Sequence, residues 1–287
     1  MNFRTDLAVE NYEIMPQKEH SGIMVKELSF EGANVSRIEV LDENGERAVG
    51  KPKGMYITVE VTPFARQAHF IDAGLQVLTD EMRNILPKEG SALVAGLGNT
   101  AITPDAFGPK CASMIFATRH IKGELLKATG FEGLRSVSAF STGVLGNTGA
   151  EAAELIKGAV DVIKPDFVIT VDALAARSVT RLGNTVQICT TGITPGSGVG
   201  NAREEINEKT LGVPVFALGV PTVVDAGTLI HDYTGGSCSC NEDAGVMMVT
   251  PREVDLMIER SAKMASLAIN CALNPQISAE DMLILTA

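Results

Sequence analysis

Between residues 22 and 61 the apolar residues fall in short strand-like runs. Ile23-Met24-Val25 comes first, then Val35 to Leu41, then Tyr56 to Val61, with turn signals at Asn44-Gly45 and Pro52-Lys53-Gly54 between them. This spacing predicts a small antiparallel meander or sheet edge. Residues 1–12 are polar and predict irregular chain. Over residues 65–84 the apolar positions Phe70, Ile71, Leu75, Leu78 and Met82 recur at helical spacing, and Pro87 and Gly90 end that pattern.

From residue 92 onward apolar runs and helical stretches alternate. Ala92–Ala95, Val137–Phe140, Phe167–Val171, Val186–Cys189 and Val213–Leu218 predict strands. Residues 108–122, 148–163 and 251–272 predict helices, the last with a capped start at Thr250-Pro251 and Glu253. The 167–171 run is apolar on both faces apart from Thr170, as in a sheet covered by helices on each side. The alternation predicts an α/β three-layer sandwich with a mainly parallel central sheet, plus a small N-terminal β-rich portion.

In such a sheet, ligands bind at the carboxyl ends of the strands. Gly96-Leu97-Gly98-Asn99 and then Asp105 follow the 92–95 run, and Asp172 with Arg177 follows 167–171. Gly196-Ser197-Gly198-Val199-Gly200 follows 186–189, and Asp225 follows 213–218. Gly96 to Ala101 matches G-x-G-x-x-A, but Pro104 interrupts the helix that a dinucleotide site needs, so a tight turn is the better reading. The 196–200 glycines lack the lysine of a phosphate loop and read as a substrate-facing turn or an anion-cradling nest. Asp105 and Asp172 are the sharper signal. Two carboxyls meeting at one sheet edge share a proton, one activating water while the other protonates. The competing reading makes each a helix N-cap, Asp105 for a helix from Ala106 and Asp172 for one from Ala173.

Composition removes several classes. The 287 residues are 45% hydrophobic and 21% charged, normal for a chain with a real core. Lys and Arg number 24 against 35 Asp and Glu, a net charge of −11, which argues against direct nucleic-acid binding. No apolar run approaches the ~18 residues of a membrane span, and no leader opens the chain, so a cytoplasmic location is expected. The five cysteines, Cys111, Cys189, Cys238, Cys240 and Cys271, are expected to be reduced. Cys238 and Cys240 form a lone C-x-C near His231, short of a zinc set. There is no H-E-x-x-H and no G-x-S-x-G among the four histidines and the serines.

Several longer blocks resemble the germination proteases of spore-forming Firmicutes, endopeptidases that degrade small acid-soluble spore proteins. They are Arg4 to Glu10, Gly96 to Asn99 with Thr103 to Ala106, Thr118 to His120, Gly143 to Gly149, Lys164 to Phe167, Val171 to Ser178, Pro195 to Asn201, Thr210 to Val215, Pro221 to Ala226 and Met248 to Asp255. The resemblance implies a fold similar to the hydrogenase maturation peptidases and an atypical aspartic peptidase with Asp105 and Asp172 as its catalytic pair. It implies a candidate substrate pocket at Gly98, Asn99, Arg177, Gly196, Ser197, Gly198 and Asp225. No cofactor is expected. A divalent metal held by Asp105 and Asp172 stays open, because the hydrogenase maturation relatives place two acids and a histidine around a metal. His120 looks typical of the family and reads as structural.

The resemblance further implies an inactive zymogen that removes its own amino-terminal piece. The family cuts within a T-E-[FI]-A-S-E type sequence, and Thr5-Asp6-Leu7-Ala8-Val9-Glu10 looks like a copy of it. Self-cleavage is therefore expected between Asp6 and Leu7, with residues 1–6 a prosegment shorter than in Bacillus relatives and residues 7–287 a single peptidase domain containing the 22–61 β-rich subregion. The 227–247 stretch also looks shorter than in Bacillus relatives. A homotetramer in the forespore or spore core is implied, with small acid-soluble spore proteins as substrates and neither nucleic acid nor membrane as a direct partner. A metal-dependent hydrolase using the same acids and a non-enzymatic anion-binding α/β protein remain the alternatives.

Overall fold

The structure is a computed structural model that describes residues 5–15, 21–67, 69–121, 133–234 and 247–286. Arg4, the first residues of the expected prosegment, and the Cys238/Cys240 run lie outside them. Nine strands among the described residues form one sheet: β1 (Ile23–Phe30), β2 (Ala33–Val40), β3 (Gly54–Val61), β4 (Ala92–Leu97), β5 (Val137–Gly143), β6 (Phe167–Ala176), β7 (Thr185–Cys189), β8 (Val215–Asp225) and β9 (Met248–Val249). Their order is β1-β2-β3-β7-β8-β6-β4-β5, with β9 on β8. The β8-β6-β4-β5 half is parallel, and β1, β2, β3 and β7 continue it antiparallel. The expected N-terminal meander is thus the antiparallel wing of the main sheet, joined to it through β3 and β7.

Helices cover both faces. On one side α3 (Ala73–Ile85), α4 (Phe107–Ser113) and α7 (Val254–Leu273) pack over Val94, Ile169, Val171 and Leu218. On the other, α5 (Ala152–Ile163) covers Leu93, Ala95 and Val168. There α1 (Ala8–Glu13) packs with Ile38, Tyr56 and Leu174, beside α2 (Glu43–Val49). The C-terminal α8 (Ala279–Leu285) packs on α7. Alternation along β6 sends Phe167, Ile169 and Val171 to the α4 side, and Val168, Thr170, Asp172 and Leu174 to the other. Among the described residues no helix is long and apolar enough to cross a membrane. Cys111, Cys189 and Cys271 are buried free thiols.

Several elements differ from the sequence pattern. Residues 8–13 are helical and not irregular, because Leu7, Ala8 and Val9 are buried against the sheet. Asn44-Gly45 begins helix α2, capped by Asp42, whose Oδ1 accepts both their N–H groups. Strands β6 and β8 run five and seven residues past the apolar runs that announced them. Helix α7 starts at Val254 after a turn, and its N-cap Glu253 makes no side-chain cap bond.

Helix α4 lies unusually close to the sheet. A side chain at Gly108 would run into the carbonyl oxygens of Leu97 and Val171. Gly108→Ala should therefore cost about 3 kcal/mol, the upper range for an overpacked core. A lowered midpoint in denaturant unfolding is the expected result, and an unchanged midpoint would refute the contact.

Candidate active site

Strand β4 stops pairing with β6 at Gly96 opposite Val171. Asp172 is the next residue on β6, so its carboxyl emerges where the neighbouring strand has ended. The chain leaving β4 turns at Gly98, passes Pro104 and returns in a short 3₁₀ turn, Thr103–Asp105. Gly98 has φ +116, and a Cβ there would strike the Asp105 carbonyl, so only glycine lets the loop fold back this far. The Asn99 N–H donates to Asp105 Oδ2 at 2.8 Å. Neither acid is a helix cap: residues after Asp172 continue as strand, and α4 starts at Phe107 with Ala106 as its N-cap and no side-chain cap bond.

Asp105 and Asp172 line one cavity of about 540 Å³. Burial pushes both carboxyls above the ordinary carboxylate range, Asp172 well above it. The negative charges of Asp105 and Asp6 raise Asp172 further, against a bond from its own neighbour's N–H, Ala173, at 2.9 Å. Asp105 is held lower by the Asn99 N–H. The two acids differ in the sense required of an acid and a base sharing one site.

The same cavity holds part of the chain's own amino-terminal segment, Asp6 lying in its lining with Glu151, Glu204 and the two aspartates. The Asp6 N–H donates to the Ala175 carbonyl at 2.9 Å, and the Ala175 N–H returns a bond to Asp6 Oδ2 at 2.9 Å. Ser197 Oγ donates to Asp6 Oδ1 at 2.6 Å, and Gly198 lies so close that a Cβ would overlap the Asp6 carboxylate. Leu7 is fully buried, and its N–H donates to Thr5 Oγ1 at 3.0 Å. Thr5 in turn bonds the Glu10 carboxylate. Glu10, only 2% exposed, accepts the Arg177 and Ser178 backbone N–H groups at 2.6 and 2.8 Å. The threonine and glutamate of the expected cleavage sequence thus meet across the Asp6–Leu7 bond.

The expected pocket residues divide. Gly98, Asn99 and Gly196 line the cavity with the acids. Ser197 and Gly198 hold Asp6, and Arg177 contributes its backbone to Glu10. Asp225 lies outside that cavity's lining. Its Oδ1 accepts the Thr228 N–H and hydroxyl at 2.9 and 3.1 Å at the start of α6 (Ala226–Thr234), so it is spent on a helix end. His120 is exposed at the amino end of β5, away from the strands' carboxyl ends. Among the described residues no three His, Cys, Asp or Glu side chains come together to hold a metal ion. Asp105 and Asp172 thus have no third such ligand beside them among the described residues, and the pair alone does not fit a metal site. Gln187 was not singled out by sequence, and Glu10 only as the end of the expected cleavage sequence; the tertiary fold alone shows what each side chain binds.

A family model described as germination protease matches residues 4–235. The germination protease of Caldanaerobacter subterraneus subsp. tengcongensis is 42% identical, covering 98% of this chain and 97% of its own. That of Clostridium perfringens is 39% identical with 98% of each chain covered. That of Priestia megaterium is 44% identical over 80% of this chain and 65% of its own. Among solved structures, a [NiFe] hydrogenase maturation protease, HycI from Thermococcus kodakarensis, superposes with a TM-score of 0.40 at 19% identity, covering 67% of this chain and 98% of that one. With a family match over most of its length and full-length relatives at this identity, the chain belongs to the germination proteases, a family of peptidases.

Proposed function

We propose that the chain is an aspartic endopeptidase, made as a zymogen, that cuts itself between Asp6 and Leu7. In trans it would cut small acid-soluble spore proteins at copies of the same sequence, as a homotetramer in the spore core. One observation carries this reading: the Thr5–Glu10 segment is docked on β6, with Asp6 in the cavity lined by Asp105 and Asp172. A copy of a substrate sequence lying beside two carboxyls of raised and unequal pKa is arranged for hydrolysis.

In the reaction, Asp105, the less strongly raised acid, whose ionised form the Asn99 N–H favours, takes a proton from water. The water oxygen bonds the Asp6 carbonyl carbon, and the carbonyl oxygen takes the electron pair. Asp172, the more strongly raised acid, supplies the proton that leaves on the Leu7 nitrogen as the C–N bond breaks. Five acidic residues line the cavity, Asp6, Asp105, Glu151, Asp172 and Glu204, against the single cation Arg203, a balance that counts against a pocket for anions.

Incubation of the purified full chain across mildly acidic to neutral pH, followed by mass spectrometry, tests the reading. A product starting at Leu7 is expected, formed at the same rate with and without a chelator. An uncut chain at every pH would overturn the proposal, and chelator-blocked cleavage would replace the aspartate mechanism by a metal one.

A further inference from the structure

Gln187 is a polar side chain in the middle of β7, 7% exposed, between Val186 and Ile188, which are both buried in the opposite core. It stands in register with Gly219 on β8, and Gly219 with Asp172 on β6, so the carboxamide and the carboxyl lie in one row on one face of the sheet. Among the described residues, both bonds of the carboxamide go to the amino-terminal segment. Nε2 donates to the Asp6 carbonyl oxygen at 3.0 Å, and Oε1 accepts the Ala8 N–H at 2.7 Å. These two atoms lie on either side of Leu7. Asp6 and Leu174 line both the cavity of the acids and a second cavity that Gln187 lines, so Asp6 sits at the junction of the two.

A buried amide in a central strand is costly unless its hydrogen bonds are made. Here the rest of the fold makes none of those seen, and the segment makes both. We propose that Gln187 is a catalytic residue of this peptidase: its carboxamide clamps the peptide around the bond to be cut and donates to the carbonyl oxygen as charge develops there. The inference rests on the reading that Asp6–Leu7 is the scissile bond. As water adds to the Asp6 carbon, the carbonyl π pair moves to oxygen, and the Nε2–H bond strengthens to the resulting oxyanion without transferring its proton. The pair then returns as the C–N bond breaks, the Leu7 nitrogen taking its proton from the aspartate pair. The Oε1 bond to Ala8 keeps the carboxamide from rotating away. Segments with proline in the Ala8 position would lack that N–H and be poor substrates.

The test follows first-order self-cleavage of the full chain by mass spectrometry in wild type, Gln187→Met and Gln187→Glu, with melting temperatures measured on the same samples. Glutamate keeps the shape of Gln187 and still accepts the Ala8 N–H, but when ionised it has no proton for the Asp6 carbonyl. Both variants should be cut about a hundredfold more slowly than wild type, the usual loss of one oxyanion donor, with melting temperature close to wild type. A role confined to packing or to holding Ala8 would leave Gln187→Glu near the wild-type rate, and folded Gln187→Glu cut within threefold of wild type overturns the inference. If neither variant folds, the uncut Asp172→Asn chain with native Gln187 decides by nuclear Overhauser contacts. Contacts between the Gln187 carboxamide protons and the Leu7 and Ala8 N–H groups support the clamp, and their absence overturns it. Failure of wild type itself to be cut at Asp6–Leu7 would strike the proposed function first, which separates the two outcomes.

Discussion

Asp172→Asn should stop the chain from cutting itself, slowing release of the segment by about 10³-fold or more, while leaving the fold at least as stable at neutral pH. The rate effect follows from the loss of the most strongly raised carboxyl among the described residues lining the cavity that Asp6 enters. The stability effect follows from proton linkage. Burial, Asp105 and Asp6 all favour the protonated form of Asp172 in the folded chain, so its folded pKa is above its unfolded one. Such a group binds more protons folded than unfolded, and the stability it contributes is full below the ordinary carboxylate range and is lost as pH rises through the raised value. An uncharged amide of the same shape removes that loss. Denaturant unfolding of the two chains across pH should show the wild type losing stability toward neutrality and Asp172→Asn losing less. Asp105→Asn should be equally uncut. A folded Asp172→Asn chain that still yields a Leu7 terminus at the wild-type rate would refute the aspartate pair.

Self-cleavage should also depend on pH as a bell displaced upward from that of two free carboxyls, with the rate falling about tenfold per unit on its alkaline side. The alkaline limb belongs to Asp172, which must carry its proton, and the acid limb to Asp105, which must not. The pair titrates as one system, so the limbs report the pair. A further consequence distinguishes this geometry from two independent acids. The carboxylate of Asp6 is one of the causes that raise Asp172, and it sits in the segment that the proposed cut would release. Asp6→Asn should therefore move the alkaline limb to lower pH, because a negative charge that opposed ionisation of Asp172 is gone. Single-turnover rates from buffered quench experiments at constant ionic strength measure this. A limb that stays in place in Asp6→Asn would show that Asp6 does not lie beside the pair.

The parallel half of the sheet was legible because Ala92–Leu97 and Phe167–Val171 carry no polar alternation, and only a strand covered on both faces reads that way. The antiparallel wing was legible from its turns, except that Asn44-Gly45 served a helix start once Asp42 supplied the cap. The lengths of β6 and β8 were not legible. Asp172 and Gly219 break the apolar pattern, yet they pair with each other, and pairing between the neighbouring strands runs on past them, with a register shift between Leu174 and Ala175. The helical start at Ala8 was missed for the same reason: Leu7, Ala8 and Val9 become a packed surface only when the sheet face beneath them exists.

Residue types and their neighbours in the chain were enough to mark Asp105, Asp172 and the glycines around them, because tight turns and acids after apolar runs leave local traces, whereas the Thr5–Glu10 stretch was marked only by the family resemblance. Local traces ended there. That Asp172 emerges at the step where β4 stops pairing, that Asp6 enters the same cavity, that Glu10 takes the Arg177 and Ser178 N–H groups and that Gln187 faces the segment from β7 were all settled by strand order and register. These are pairings between residues far apart in the chain, and a one-dimensional pattern carries no information on which distant strand lies beside which.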